Sequence, residues 1–147
     1  MRIEVKIEPG CTETRVVVYA AGMTEEISAL LKRLETGTSK LLIGFMGERA
    51  EVIRPETLCR VYAEGGRVVA AGRDGKVYTL RGPLYEWENR LGPEGFVRVS
   101  QSELIALHQV HAFDLSLAGT ICIRMADGTV TYASRRYVAK LKNILGL

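Results

Sequence analysis

The chain has 147 residues, of which 47% are hydrophobic and 25% charged, a composition typical of a folded domain with a real core. No apolar run approaches the roughly 20 residues of a membrane helix, and the alternating residues 1–6 are unlike a secretion signal. The three cysteines, Cys11, Cys59 and Cys122, are widely separated. We therefore expect reduced thiols in a cytoplasmic protein, and neither a disulfide framework nor a zinc site.

The net charge of +3 is unevenly distributed along the chain. Residues 1–53 carry 7 Lys and Arg against 8 Asp and Glu, whereas residues 54–147 carry 13 against 9. The segment from Ser134 onward contains no acid and four bases: Arg135, Arg136, Lys140 and Lys142. This local basic patch permits nucleic-acid binding without demanding it.

Residues 1–53 are predicted to form a small β-α-β unit. Apolar and charged residues alternate over residues 3–7, as in a half-buried strand, and residues 15–20 indicate a second, more apolar strand. Thr24 is a suitable N-cap for a helix that ends at Gly37. The predicted buried stripe of this helix consists of Ile27, Leu30, Leu31 and Leu34. The unit would serve packing, dimerisation or signal reception.

Two further strands, residues 41–45 and 50–53, are predicted around a turn that contains Gly47. A domain boundary is expected at Arg54-Pro55-Glu56, because proline interrupts regular structure and restricts its predecessor. We therefore predict two domains, an N-terminal α/β unit of residues 1–53 and a β domain of residues 54–147.

The second domain begins with a run of short strands. Residues 59–63, 67–71 and 76–80 are predicted strands, and the glycine-containing segments between them are strong hairpin signals. A short helix follows, with Leu84, Trp87 and Leu91 on one face. Trp87 is interpreted as a core anchor.

Residues 96–100 are predicted to form a strand with Val97 and Val99 on one face and Phe96, Arg98 and Ser100 on the other. Ser102 is then expected to cap a short helix through Leu107. A final hairpin of residues 120–125 and 129–133 leads into a helix over residues 134–145. The polar breaks at 100–102 and 134–136 are expected to carry functional side chains.

The last helix has a stripe of five apolar residues at helical spacing: Tyr137, Val138, Leu141, Ile144 and Leu145. Ser134 is a good N-cap, and Gly146 follows where helices often end. Arg135 and Arg136 in the first turn indicate an anion site, since a helix start exposes amide groups. The alternative is a solvated helix end whose arginines pair with carboxylates.

Signals for catalysis are weak. His108 and His111 are three positions apart, and Asp114 is the nearest further ligand in sequence. This pattern is a weak signal, because a metal site needs at least three convergent ligands in a recognisable geometry. No nucleophile elbow or phosphate loop is present, and no helix start follows Gly65-Gly66. We therefore expect no enzymatic activity, cofactor, metal or small-molecule substrate.

The motifs of the second half resemble those of the LytTR DNA-binding domain over about residues 54–146. The resemblance rests on these residues: FVRVSQS at 96–102, Val110, Phe113-Asp114, Asp127-Gly128, YASRRY at 132–137 and KLK at 140–142. Members of that family are mostly bacterial transcription regulators with an elongated, largely β fold. The resemblance implies that loop side chains enter successive major grooves of DNA, usually at paired direct repeats.

Carried over by position, the family's DNA contacts fall on three loops and on basic residues near those loops. We predict the following DNA-binding residues: Arg67, Arg98, Ser100, Gln101, Ser102, Ser134, Arg135, Arg136 and Lys140. Arginine pairs with guanine, glutamine with adenine, and serine with phosphate, so the residue types agree with this role. The chain resembles the short family members that lack a receiver domain, and this resemblance further implies control by a membrane protein. Binding at paired repeats is compatible with a homodimer.

The sequence thus predicts an α+β, β-rich cytoplasmic regulator of bacterial transcription that binds specific double-stranded DNA. One alternative is a protein-interaction or ligand-sensing β module that docks through the basic C-terminal helix. An RNA-binding regulator is disfavoured, because aromatic residues are not interleaved on a predicted sheet face. A metal-dependent enzyme built on His108 and His111 is the most distant alternative.

Overall fold

The computed structural model describes residues 1–36 and 42–147. It divides into two compact units, Met1–Thr38 and Ser39–Leu147. None of the helices in these described ranges is both long enough and apolar enough to cross a bilayer.

The first unit contains helix α1, Glu25–Thr36. Thr24 caps it as predicted, because its hydroxyl accepts a hydrogen bond from the Ile27 amide at 3.3 Å. The predicted end at Gly37 lies outside the described residues. The stripe is less buried than expected: Ile27, Leu30 and Leu31 are half-buried and Leu34 is exposed.

The strands predicted at residues 3–7 and 15–20 do not form within the described part of the chain. Ile3, Val5 and Ile7 are 78–81% exposed, and three apolar residues of the second segment are 63–93% exposed. Alternating hydrophobicity identifies a segment with one apolar face, but a strand also needs a neighbour to satisfy its backbone groups. Residues 1–24 lack such a neighbour in the described structure.

The second unit is built on a seven-stranded sheet with antiparallel pairing throughout. Its strands are β1 (Leu42–Met46), β2 (Arg49–Ile53), β3 (Leu58–Glu64), β4 (Arg67–Gly72), β5 (Val77–Leu80), β6 (Phe96–Ser100) and β7 (Glu103–Ala106). Their spatial order is β2-β1-β5-β4-β3-β7-β6. A three-stranded sheet of order β10-β9-β8 consists of β8 (Val110–Asp114), β9 (Ile121–Met125) and β10 (Val130–Ala133).

Two α-helices complete this unit, α2 (Leu84–Leu91) and α3 (Arg135–Leu145). Short 3-10 helices span Pro55–Thr57, Gly92–Glu94 and Leu107–Gln109. The predicted class, β-rich α+β with short helices and a C-terminal helix, is confirmed.

The hairpin β1–β2 belongs to the large sheet, since Phe45 of β1 pairs with Thr79 of β5. The proline at position 55 predicts a boundary that would leave this hairpin in the N-terminal unit. That proline instead begins a 3-10 turn inside the compact unit, so the compact unit starts upstream of the predicted boundary at residue 54.

The short helix predicted after Ser102 is wrong, because residues 103–106 form strand β7 between β3 and β6. All four residues of β7 are buried. A short apolar run fits a fully buried strand as well as a helix, and periodicity alone does not separate the two. Strand β8, which no pattern in the sequence predicted, pairs antiparallel with β9.

Each face of the large sheet supports a separate hydrophobic cluster. One cluster packs α2 against the sheet through Leu84, Trp87 and Leu91. The Trp87 indole donates a hydrogen bond to the Arg81 carbonyl at 2.9 Å, which agrees with its predicted anchoring role. The other cluster joins Val97 and Val99 of β6 to the small sheet and to Leu141 of α3.

Helix α3 ends at Gly146 with φ +74°, a left-handed conformation. Gly146→Ala is expected to lower the free energy of unfolding by about 1 kcal/mol, because a Cβ is strained there. Gly146→Asn should lose less, since asparagine tolerates this conformation better. Urea unfolding monitored by Trp87 fluorescence measures both effects. Equal stability of wild type and Gly146→Ala would contradict this account of the helix end.

Candidate nucleic-acid interface

Strand register brings three turns to one end of the second unit. Strands β3 and β7 are antiparallel, so the end of β3 lies beside the start of β7, and the Ala63 amide donates to the Ser102 carbonyl at 2.8 Å. The β3–β4 turn, residues 64–67, and the β6–β7 turn, residues 100–102, therefore occupy the same edge. Helix α3 begins at this edge too. We call the three segments 64–67, 100–102 and 134–136 the loop end.

A β-bulge connects α3 to the β6–β7 turn. The register of β6 against β7 shifts between Arg98 and Ser100, so Val99 stands outside the regular ladder. Its carbonyl accepts a hydrogen bond from the Ser134 amide at 2.9 Å. The two polar breaks singled out in the sequence, 34 positions apart, are thereby held together through their backbones.

Arg98 lies behind the β6–β7 turn, with its side chain only 13% exposed. Its guanidinium donates to the Ser100 carbonyl at 2.8 Å and to the Gln101 carbonyl, and it pairs with Glu88 of α2 at 3.3 Å. These contacts satisfy carbonyls that the turn would otherwise leave unpaired. Arg98 is therefore suited to hold the turn in place, whereas the sequence had suggested contact with DNA.

Glu103, at the start of β7, joins the two sheets directly below the same turn. It is buried; one carboxylate oxygen accepts from Arg60 of β3 at 2.7 Å, and the other accepts from the Thr131 hydroxyl of β10. The Arg60 guanidinium also stacks 4.7 Å from the centre of the Tyr62 ring. Sequence reasoning missed this network, because Arg60 and Glu103 are 43 residues apart and neither carries a local motif.

Most of the predicted site residues are exposed at the loop end. Ser100 is half-buried, and its hydroxyl accepts from the Ser102 amide at 3.2 Å. The exposed group comprises Arg67, Gln101, Ser102, Ser134, Arg135, Arg136 and Lys140. All of these lie in the three turns except Lys140, which is on the second turn of α3.

The start of α3 is an electropositive surface. Its first turn contains no acidic residue, and the Ser134 side chain forms no capping bond within the described residues. The free amide groups of the first turn and the two guanidinium groups of Arg135 and Arg136 can therefore all face an anion. Leu141 anchors the helix beneath them, being fully buried.

Arg135 lies next to the loop that joins β8 to β9. A Cβ added at Gly119 would lie 3.4 Å from the Arg135 Nε atom, an ordinary contact distance, so this loop passes directly beside the guanidinium. Asp114, the last residue of β8, precedes this loop, and its carboxylate accepts from the Ser116 amide at 2.9 Å and from the Ser116 hydroxyl at 2.6 Å. These bonds with Ser116 hold the pKa of Asp114 below its ordinary value.

The depressed pKa of Asp114 predicts a pH effect. The carboxylate stabilises the fold above its unfolded pKa of about 4, and this contribution disappears as the pH falls through the lower folded pKa. Asp114→Asn should therefore be less stable than wild type at pH 7, with the gap narrowing in acid. Urea midpoints at pH 7 and pH 3 measure this. A gap that stays constant would contradict the proposed role of the carboxylate.

The surroundings of the two histidines bear on the alternative of a metal site. His108 is exposed and packs edge-on against Phe96, with ring centres 6.0 Å apart. Across residues 1–36 and 42–147, no cluster of three or more potential ligands is found.

Basic and polar turns gathered at one end of a β unit are a feature typical of nucleic-acid-binding proteins. Comparison with known families agrees: the model of the LytTr DNA-binding domain matches residues 48–146. The chain belongs to the LytTr DNA-binding domain family, a family of non-enzymatic DNA-binding regulators, as the resemblance predicted.

Individual proteins are similar to this chain in sequence or in fold. Two uncharacterized HTH-type transcriptional regulators of Staphylococcus aureus, from strains bovine RF122 / ET3-1 and NCTC 8325 / PS 47, are 26% and 25% identical. Each match spans 100% of this chain and 99% of the relative. A solved LytTr domain of a protein described as a methyl-accepting/DNA response regulator from Bacillus cereus superposes with TM-score 0.69. That match has 16% identity and covers 74% of this chain and 100% of the solved domain.

Proposed function

We propose that this protein regulates transcription by binding specific double-stranded DNA through the loop end. The observation that supports this most strongly is the hydrogen bond between the Ser134 amide and the Val99 carbonyl at 2.9 Å. It couples the β6–β7 turn to the start of α3, so Gln101 and Arg136 can act on one stretch of duplex.

The proposed roles follow from side-chain chemistry. Arg136 reads a guanine with its two parallel donors, and Gln101 reads an adenine. Arg135, Ser134 and the first-turn amides of α3 bind phosphate, as an exposed helix start favours. Arg67, in the β3–β4 turn, contacts the DNA backbone further along the duplex.

This mode differs from a helix-turn-helix, the motif in the names of the staphylococcal relatives. A helix-turn-helix needs two consecutive helices joined by a short turn. Here five strands, β6–β10, lie between α2 and α3. In the proposed mode, side chains on turns enter the major grooves, and one protein copy at each of two direct repeats would give paired binding.

A salt titration separates phosphate contact from base contact. Arg135→Ala should weaken binding to all sequences by a similar factor and reduce the slope of log affinity against log salt by about 0.9. Arg49→Ala is the matched control, because Arg49 is an arginine outside the loop end. It lies at the start of β2, and its side chain is 81% exposed. An unchanged slope for Arg135→Ala would rule out the phosphate role.

The competing function is a protein-docking module that uses α3. A band-shift assay against random genomic fragments distinguishes the two, because a docking module selects no DNA sequence. Retention of a discrete subset of fragments is the result expected for a regulator, and uniform weak binding or none would favour docking.

A further inference from the structure

The N-terminal segment, residues 2–8, alternates charged and apolar residues, so that an extended chain would have one charged face and one apolar face. Arg2 pairs with Glu4, and Lys6 pairs with Glu8 at 3.2 Å. Residues two apart in an extended chain share a side, so these contacts place the four charges on one side. In an extended chain Ile3, Val5 and Ile7 then share the opposite side, and each is about four-fifths exposed.

We infer that this segment pairs with residues 2–8 of a second copy of the chain, antiparallel and two-fold symmetric about Val5. In this register Arg2 lies opposite Glu8 of the partner subunit, and Glu4 lies opposite Lys6 of the partner subunit. Ile3 faces Ile7 of the partner subunit, and the two Val5 side chains meet on the axis. Every charge meets its opposite, and every apolar residue meets an apolar one.

The charge order excludes the neighbouring registers. A slip of two residues in either direction puts like charges together, either Glu4 on Glu4 or Lys6 on Lys6 at the axis. A parallel in-register pair would set each of the four charges against its own copy. A slip of one residue sets apolar residues against charged ones. The symmetric antiparallel register is therefore strongly preferred over these alternatives.

Helix α1 provides apolar surface in the same unit. Two paired strands alone are marginal in water and need an apolar cover. The α1 stripe of Ile27, Leu30 and Leu31 is only half-buried, and Leu34 is exposed. A dimer would bring two such helices to one two-stranded ribbon, which accounts for exposed apolar surface that is costly in a lone chain.

Charge exchange tests this pairing on the full-length protein without DNA, so the result is independent of the proposed function. Wild type is expected to sediment as a dimer at micromolar concentration. Glu4→Lys alone and Lys6→Glu alone each place like charges opposite one another twice per dimer, and each should raise the dimer dissociation constant at least tenfold. Mixed together, the two variants should form a heterodimer, because every cross-strand pair is again opposite in charge.

Arg49→Glu is the control, since it changes net charge as Lys6→Glu does but at an exposed site of the second unit. It should leave the dimer intact. A monomeric wild type, single variants that dimerise like wild type, or a mixture that stays monomeric would each overturn the proposal.

Disulfide trapping tests the register itself. In a Cys11→Ser background, which removes the exposed thiol and leaves the buried Cys59 and Cys122, Val5→Cys should form a covalent dimer on mild oxidation. Directly opposite residues lie within disulfide distance. Ile3→Cys should cross-link at least tenfold more slowly, because it faces Ile7 of the partner subunit. Equal rates for the two variants would overturn the register.

Discussion

Arg136→Ala is expected to weaken binding to the cognate DNA by about 1–3 kcal/mol, roughly 5- to 150-fold. The expected cause is loss of a two-pronged contact with one base, because Arg136 is exposed in the first turn of a helix anchored by buried Leu141. The variant should also tolerate changes at one position of the DNA site. Fluorescence anisotropy with a labelled duplex and single-base variants of it measures both effects.

The matched control for this experiment is again Arg49→Ala, which removes the same charge far from the loop end. Its affinity and sequence preference should equal those of wild type. If Arg136→Ala bound the cognate site as tightly as Arg49→Ala does, Arg136 would not read a base. If it lost affinity equally for all sequences, its role would be phosphate contact instead.

Glu103→Ala is expected to lower the free energy of unfolding by about 3–5 kcal/mol. The substitution leaves the largely buried Arg60 charge without its carboxylate and the Thr131 hydroxyl without its acceptor. Removing one partner of a buried pair costs more than the pair itself contributes. Chemical denaturation of the full-length protein measures the loss, and DNA affinity should fall as well, because Glu103 directly follows the β6–β7 turn.

A double variant separates the buried charge from the packing of the site. Arg60→Met with Glu103→Leu removes both charges and keeps the volume, so it should recover most of the stability that Glu103→Ala loses. Glu103→Gln, which still accepts hydrogen bonds, should lie between wild type and Glu103→Ala. A loss below about 1 kcal/mol for Glu103→Ala would contradict the assigned importance of this network.

Elements specified by local signals were predictable from the sequence. The hairpins β3–β4, β4–β5 and β9–β10 each have a glycine turn between strand-like segments, and α2 and α3 have clear apolar stripes. Such signals act over a few residues and need no knowledge of the remaining chain. Strand β7 was missed because the fully apolar sequence of residues 104–106 reflects burial on both faces, which depends on β3 and β6.

The candidate site was predictable to a similar extent. The two polar breaks could be located from composition and family resemblance, and both lie at the loop end. Their proximity could not be derived, because it depends on the bulge that frees the Val99 carbonyl for the Ser134 amide. The internal contacts of Arg98 were likewise hidden, since Glu88 and the turn carbonyls become neighbours only after folding.

Selection from a pool of random duplexes shows whether the loop end reads a DNA sequence. The full-length protein should enrich two similar half-sites about one helical turn apart, and Arg136→Ala should enrich the same site with one position relaxed. A final pool indistinguishable from the starting pool would contradict sequence-specific binding by this protein.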